Sequence, residues 1–207
     1  YSVTTVYTLI DVTLAGLSNC GQPQTETITI NVEPLPVVTI SSNTTICIGS
    51  TATVTFTGTP NATVTYTVNG GTNQTIVLDN LGSAILSNAY TSTTIISLVD
   101  IATTGSPGCS NPQTGTITIT VLPLPTATIT TDTNVCSGSS ATITISGTPN
   151  ATVVYKVNKG NEETIVLDTN GIAIINSTIT GTTVYDLVSV KDSGVPICSK
   201  PLTESVT

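Results

Sequence analysis

Pro34-Leu35-Pro36 returns 89 residues later as Pro123-Leu124-Pro125, and its surroundings return with it. Gly58-Thr59-Pro60-Asn61-Ala62-Thr63 recurs intact as Gly147-Thr148-Pro149-Asn150-Ala151-Thr152, and Thr75-Ile76-Val77-Leu78-Asp79 as Thr164-Ile165-Val166-Leu167-Asp168. Cys47 recurs as Cys136, and Cys20 as Cys109 and Cys198, with no gap needed. A fixed period marks an array of like units. This one is longer than a solenoid repeat and close to the size of a small β-sandwich.

In this register residues 1–33 are the C-terminal part of a truncated unit, 34–122 a complete unit, and 123–207 a unit lacking its last strand. The expectation is a window from a longer array, so a missing signal sequence carries no information.

Working outward from the prolines, short runs rich in Thr, Val and Ile alternate apolar and polar residues, the period of a half-buried strand. In the truncated unit Val3–Val12 and Thr25–Val32 read as strands. The complete unit reads as seven: Val37–Ser41, Thr51–Thr57, Asn61–Val68, Gln74–Asp79, Ser83–Ser87, Thr93–Ile101 and Thr114–Val121. Turn signals separate them at the spacing of an all-β sandwich, and no segment has a sustained helical period. The expected fold is therefore all-β: tandem seven-stranded immunoglobulin-like β-sandwiches in an extended rod. Tyr7 and Tyr185 fall where such sandwiches place a tyrosine corner, with Ile96 at that position in the middle unit. Proline stiffens the chain and holds its predecessor extended. Pro34, Leu35, Pro36 and Pro123, Leu124, Pro125 therefore read as rigid junctions, with Leu35 and Leu124 expected to be buried.

Each complete unit holds one cysteine early (Cys47, Cys136) and one late (Cys109, Cys198). The expected bonds are Cys47–Cys109 and Cys136–Cys198, with the partner of Cys20 outside the chain. Two alternatives stand beside them: end-to-end stacking that pairs Cys47 with Cys198, and thiols that stay free or bridge chains. Disulfides imply an oxidising, extracellular setting.

Composition excludes several function classes. Twelve acidic against four basic side chains give a net charge of −8, unsuited to nucleic acid or to an anionic membrane surface. No apolar run is long enough to span a bilayer. There is no His and hence no conventional base for a Ser or Cys nucleophile; no enzyme activity and no catalytic residue are expected. Nor is a metal or cofactor site expected, because CxxC pairs and EF-hand-like loops are missing and Glu33 at one junction becomes Leu122 at the next. Asp79 and Asp168, each before a glycine turn, read as structural turn residues. Asn43, Asn61, Asn73, Asn150 and Asn176 open Asn-x-Ser/Thr triplets, a weak glycosylation signal. Thr53, Thr55, Thr57 and Thr63, Thr65, Thr67 read as outward faces of neighbouring strands, capable of cross-strand pairing.

Three further features carry a resemblance: Cys136-Ser137-Gly138-Ser139-Ser140-Ala141-Thr142-Ile143-Thr144 opening a unit, Gly108-Cys109-Ser110 near its end, and a Thr-Ile-Thr-Val strand running into Pro-Leu-Pro. The chain resembles the immunoglobulin-like (PKD-like) tandem repeats of giant Bacteroidota cell-surface adhesins, such as the SprB-type gliding-motility adhesins exported by type IX secretion. It departs from related repeats in having no Trp, with Tyr66 and Tyr155 on the third strand instead. The resemblance implies the shaft of a long extracellular, cell-surface filament used in attachment and gliding. The expected partners are neighbouring repeats of the same chain, surface polysaccharide or other filament chains. Two other readings remain open: a self-assembling fibre without an outside ligand, and a carbohydrate-binding module array of a secreted enzyme, against which 3% aromatic residues argues.

Overall fold

The computed structural model describes residues 3–16, 21–105, 107–131 and 134–207. The protein is all-β, with no helix among the described residues. The first segment forms β1 (Thr5–Thr8), β2 (Asp11–Thr13), β3 (Gly21–Pro23) and β4 (Thr27–Ile30), with β1 on β4 and β2 on β3. The single strand expected over Val3–Val12 is broken between Thr8 and Asp11. Ile28 stands 66% exposed, and no residue of β1 to β4 is buried.

The middle unit contains β5 (Val38–Ser42), β6 (Thr45–Cys47), β7 (Thr51–Gly58), β8 (Thr63–Val68), β9 (Gln74–Val77), β10 (Ser83–Ala89), β11 (Thr94–Ala102), β12 (Ser110–Pro112) and β13 (Thr116–Leu122). Each of the seven expected runs carries a strand, and the short β6 and β12 are additional. One sheet is β10-β7-β5; the other runs β6-β13-β11-β8-β9, with β12 also on β11. β6 pairs parallel to β13, Cys47 opposite Leu122, and the other pairs are antiparallel. The inward faces enclose one core of which Val54, Phe56, Val64, Leu78, Ile96, Ile101 and Ile119 are fully buried members. Threonines alternate with the apolar residues and point outward, as the strand period requires.

The third unit repeats this with β14 (Ala127–Thr131), β15 (Ser139–Gly147), β16 (Thr152–Val157), β17 (Glu162–Val166), β18 (Ile172–Ile179), β19 (Tyr185–Lys191), β20 (Ser199–Pro201) and β21 (Ser205–Val206). Its sheets are β14-β15-β18 and β17-β16-β19-β20, with β21 also on β19. Even the irregularity repeats: β11 skips Val99 against β8, and β19 skips Val188, 89 residues on, against β16. The core again draws on both sheets, with Ile143, Ile145, Val153, Leu167 and Val190 buried.

Two expectations need correction. The threonines of β7 and β8 do not lie on neighbouring strands. The Gly58–Asn61 turn carries the chain from one sheet to the other, so Thr55 pairs with Ser41 and Ile85 while Thr65 pairs with Thr75. The two Thr rows thus cover opposite outer faces. Leu35 is also not buried: it is 61% exposed and Leu124 half-buried, while Pro36 and Pro125 are buried. Strand parity decides this, since Pro36 shares the inward side with Val38 and Leu35 falls on the other. Pro34 and Pro123 are exposed.

Candidate functional site

In each unit the chain enters the sandwich at one end and leaves it at the other. The entry end of the middle unit gathers Pro36, the Gly58–Asn61 turn and the Cys109 loop. Asn111 Nδ2 donates to the Pro36 carbonyl at 2.8 Å, and Thr59 N donates to Val37 O at 2.9 Å. The exit end gathers Cys47, Tyr90 and Leu122. Ile48 N donates to Leu122 O and Gly49 N to Tyr90 O, both at 2.8 Å.

This placement corrects the expected disulfides. Cys47 and Cys109 sit at opposite ends of the nine-residue β11, about 26 Å of extended strand at about 3.3 Å per residue. A disulfide needs Cα atoms within about 7 Å. The same geometry separates Cys136, whose neighbour Gly138 N donates to Ile179 O, from Cys198, whose carbonyl accepts from Asp192 N.

The structure instead has the end-to-end alternative and joins Cys47 to Cys198, with the sulfurs 2.01 Å and the Cα atoms 5.6 Å apart. The three-residue junction Pro123-Leu124-Pro125 brings the exit end of the middle unit to the entry end of the next, where the early and late cysteines meet. Cys109, half-buried, and Cys136, exposed, are free thiols; Cys20 lies outside the described residues. The bond closes 151 residues, which the chain-entropy model values at about 5 kcal/mol, the top of its usual range.

The loop presenting Cys198 is held by a carboxylate with no motif around it to mark its role. Asp192 Oδ1 accepts from Cys198 N at 2.9 Å and from Gly194 N at 3.2 Å. Thr103 fills this position in the middle unit, and its Oγ1 accepts from Cys109 N at 3.0 Å. The signal available was an oxygen-bearing side chain six residues before Cys109 and before Cys198, where Cys20 has Leu14. The sulfur of Cys198 is thus delivered, fully buried, by a fixed turn.

Asp79 and Asp168 act as turn residues. Asp79 Oδ1 accepts from Leu81 N and Ser83 N, and Asp168 Oδ1 from Asn170 N and Ile172 N, all at 2.8–2.9 Å. The bond from Ile172 N, aided by those from Asn170 and Gly171, holds the Asp168 carboxyl below its ordinary 3.8. Its contribution to stability is therefore present above that value and lost as pH falls through the lowered one. Gly82 and Gly171 complete the turns at φ +77° and +78°, and a Cβ on either would strike the backbone carbonyl of Gly58 or Gly147.

Of the triplet asparagines, Asn43 spends its side-chain oxygen on Thr53 N at 3.0 Å, while Asn61 and Asn150 hold left-handed turn positions at φ 58° and 60°. All five asparagines are exposed.

The third unit has a groove of about 420 Å³ at its exit end, lined in part by Val135, Ala141, Ile143, Ile179, Tyr185 and Val206. The middle unit fills the corresponding space with β13: Ile119, fully buried, pairs with Thr94, and Thr183, the counterpart of Thr94, lines the groove. β21 ends at Val206, short of that position.

No family model matches this chain, and no curated protein does. Among solved structures it is similar to the human OSCAR ligand-binding domain, at 11% identity and a TM-score of 0.36, covering 84% of this chain and 98% of that one.

Proposed function

We propose that this chain is part of the repetitive shaft of a long extracellular filament on a cell surface, which attaches the cell to its surroundings and, following the sequence resemblance, serves gliding. The observation that carries the reading is the Cys47–Cys198 bridge: it ties the exit end of one sandwich to the entry end of the next. A bond placed there adds nothing to a ligand pocket and directly opposes bending or separation of consecutive units. A disulfide also suits an oxidising exterior, and a three-residue prolyl junction leaves little free linker. The middle unit is thus built to hold the one that follows it. The test is immunogold labelling of intact cells with antibody against residues 34–207, together with attachment assays on cells lacking the repeats. Label along surface filaments and lost attachment are expected. Label confined to permeabilised cells, or unchanged attachment, overturns the reading.

A fibre of laterally associated chains is the second reading, favoured by one observation. The edge strands β9 and β10 leave Val77 and Ile85 over 60% exposed, and their counterparts Val166 and Ile174 are similarly bare. Unprotected apolar edges invite pairing with another chain. Concentration-dependent light scattering of the purified protein separates the two readings.

A further inference from the structure

The bridge has a topological consequence independent of where the protein resides. Residues 48–197, which include β7 through β19, lie inside one closed covalent loop between Cys47 and Cys198. We propose that the Cys47–Cys198 disulfide is a tension-bearing link that routes pulling force past both sandwich cores. Tension applied at residues 1 and 207 runs along β5 and β6 to Cys47, crosses the sulfur–sulfur bond, and leaves through β20 and β21. The Pro123-Leu124-Pro125 junction lies within the loop and is relieved of load.

The strands outside the loop are attached in a way that suits this path. β5 lies antiparallel along β7 over five register pairs, from Val38 opposite Gly58 to Ser42 opposite Val54. β6 lies parallel along β13, from Thr45 opposite Thr120 to Cys47 opposite Leu122. Both carry the chain from the entry end to the exit end. A pull along that direction loads their backbone hydrogen bonds together in shear, not one after another as in unzipping. Beyond the bridge, β20 and β21 both pair with β19. Should those short strands give way, the enclosed strands still cannot be drawn out, because both ends of the loop meet at one bond. The link limits extension even when a unit loses its fold.

Single-molecule pulling of the full 207-residue chain from its two ends, with the free thiols alkylated beforehand, tests this. The disulfide should shorten the fully extended contour by about 500–540 Å, from 151 residues at about 3.3–3.6 Å each. Adding dithiothreitol in the pulling chamber should release that length as one increment from protein that folded oxidised. Cys47→Ser should show the long contour from the start. Equal contours before and after reduction overturn the proposal. So do two increments of about 200–220 Å each, the signature of bonds within units, since each would enclose roughly 62 residues at that rise per residue. The filament reading leans on the same bridge but is tested by surface labelling and attachment, so a failed pulling result and a failed labelling result are told apart.

Discussion

The middle unit (34–122) carries two charged side chains, Asp79 and Asp100, whereas the third (123–207) carries seven acidic residues and all four lysines. Most of their strands nevertheless recur at the 89 spacing, from β5 and β14 to β12 and β20, although β6 has no counterpart among the described residues and β21 is shorter than β13. Charge is therefore free to vary on these outer surfaces, while the constraint lies in the core and the turns. Within the core one exchange shows how the constraint is met. The middle unit packs Phe56 of β7 against Tyr66 with ring centroids 5.3 Å apart, and has Ile96 on β11. The third unit places Ile145 where Phe56 stands and Tyr185 where Ile96 stands, and Tyr155 stacks on Tyr185 at 6.4 Å. The second ring has moved from one sheet to the other while the filled volume stays similar, a swap that cores tolerate when both changes occur together.

The two units should differ most in their response at that ring. Phe56→Ala should cost about 3–5 kcal/mol, read as faster hydrogen exchange at the amides of Val54 and Val64 with those of Ile143 and Val153 little changed. Exchange rising equally in both units would mean that they share one cooperative core. The swap itself sharpens the point. Ile145→Phe alone should overpack the third unit by roughly 1–3 kcal/mol. Adding Tyr185→Ile should recover much of that cost, leaving a clearly non-additive pair.

Ionisation separates the units next. Tyr155 and Tyr66 occupy the same position on β16 and β8, but Tyr155 faces Glu163 across the strand pair where Tyr66 faces Gln74. Burial, then the 2.8 Å bond its hydroxyl donates to Glu163, pushes the Tyr155 phenol up from 10.0 to about 12. The Tyr66 phenol is also raised, by burial and then by Tyr90. A raised folded value means that the neutral phenol stabilises the fold. That contribution is complete below pH 10 and is lost as pH climbs toward 12. Ultraviolet titration should find Tyr155 among the last phenols to ionise, and Glu163→Gln should lower its midpoint. An unchanged midpoint would leave burial as the whole cause.

How much of this was legible follows from which signals are local. The strands were legible because Thr alternates with Val, Ile and Ala at period two in β7, β8, β15 and β16, and because Gly-Thr-Pro-Asn punctuates both units. The all-β class and the inward set around Val54, Phe56, Val64 and Tyr66 follow from that pattern. The repeat offers the Cys47–Cys198 pairing only as one alternative, and spacing cannot choose it, because Cys47 and Cys109 are separated by the length of β11, a quantity that depends on how strands are ordered in the sheets. The same ordering put the Thr rows of β7 and β8 on opposite faces although they adjoin in sequence. Leu35 was misplaced by a single step of strand parity. Asp192 went unremarked because its role exists only once the loop folds back on Cys198.

The smallest difference lies in one hairpin turn. In the middle unit Asn69 and Gly70 open the connection from β8 to β9 at φ 51° and 68°; in the third, Asn158 and Lys159 open that from β16 to β17 at 50° and 60°. Positive φ at both central positions is the hairpin geometry that suits the twist of the strands, and the register needs it. Asn69 Oδ1 accepts from Ile95 N at 2.7 Å, and Asn158 Oδ1 from Val184 N at 2.8 Å. Asparagine tolerates that backbone and glycine adopts it freely, but a lysine Cβ in the left-handed region costs about 1–2 kcal/mol. Replacing lysine by glycine also loosens the unfolded chain, which returns part of the gain. Lys159→Gly should therefore stabilise the third unit by only about 0.5–1 kcal/mol, and Gly70→Lys should destabilise the middle unit by a similar amount. The exposed Lys156–Glu162 pair at 3.3 Å on the same hairpin is left intact by the first change, so charge loss there does not confuse the result. Opposite shifts of similar size in the urea midpoints would show that the turn is set by its φ angles alone. A loss of stability in Lys159→Gly would instead mean that the lysine side chain contributes more than its backbone strain costs.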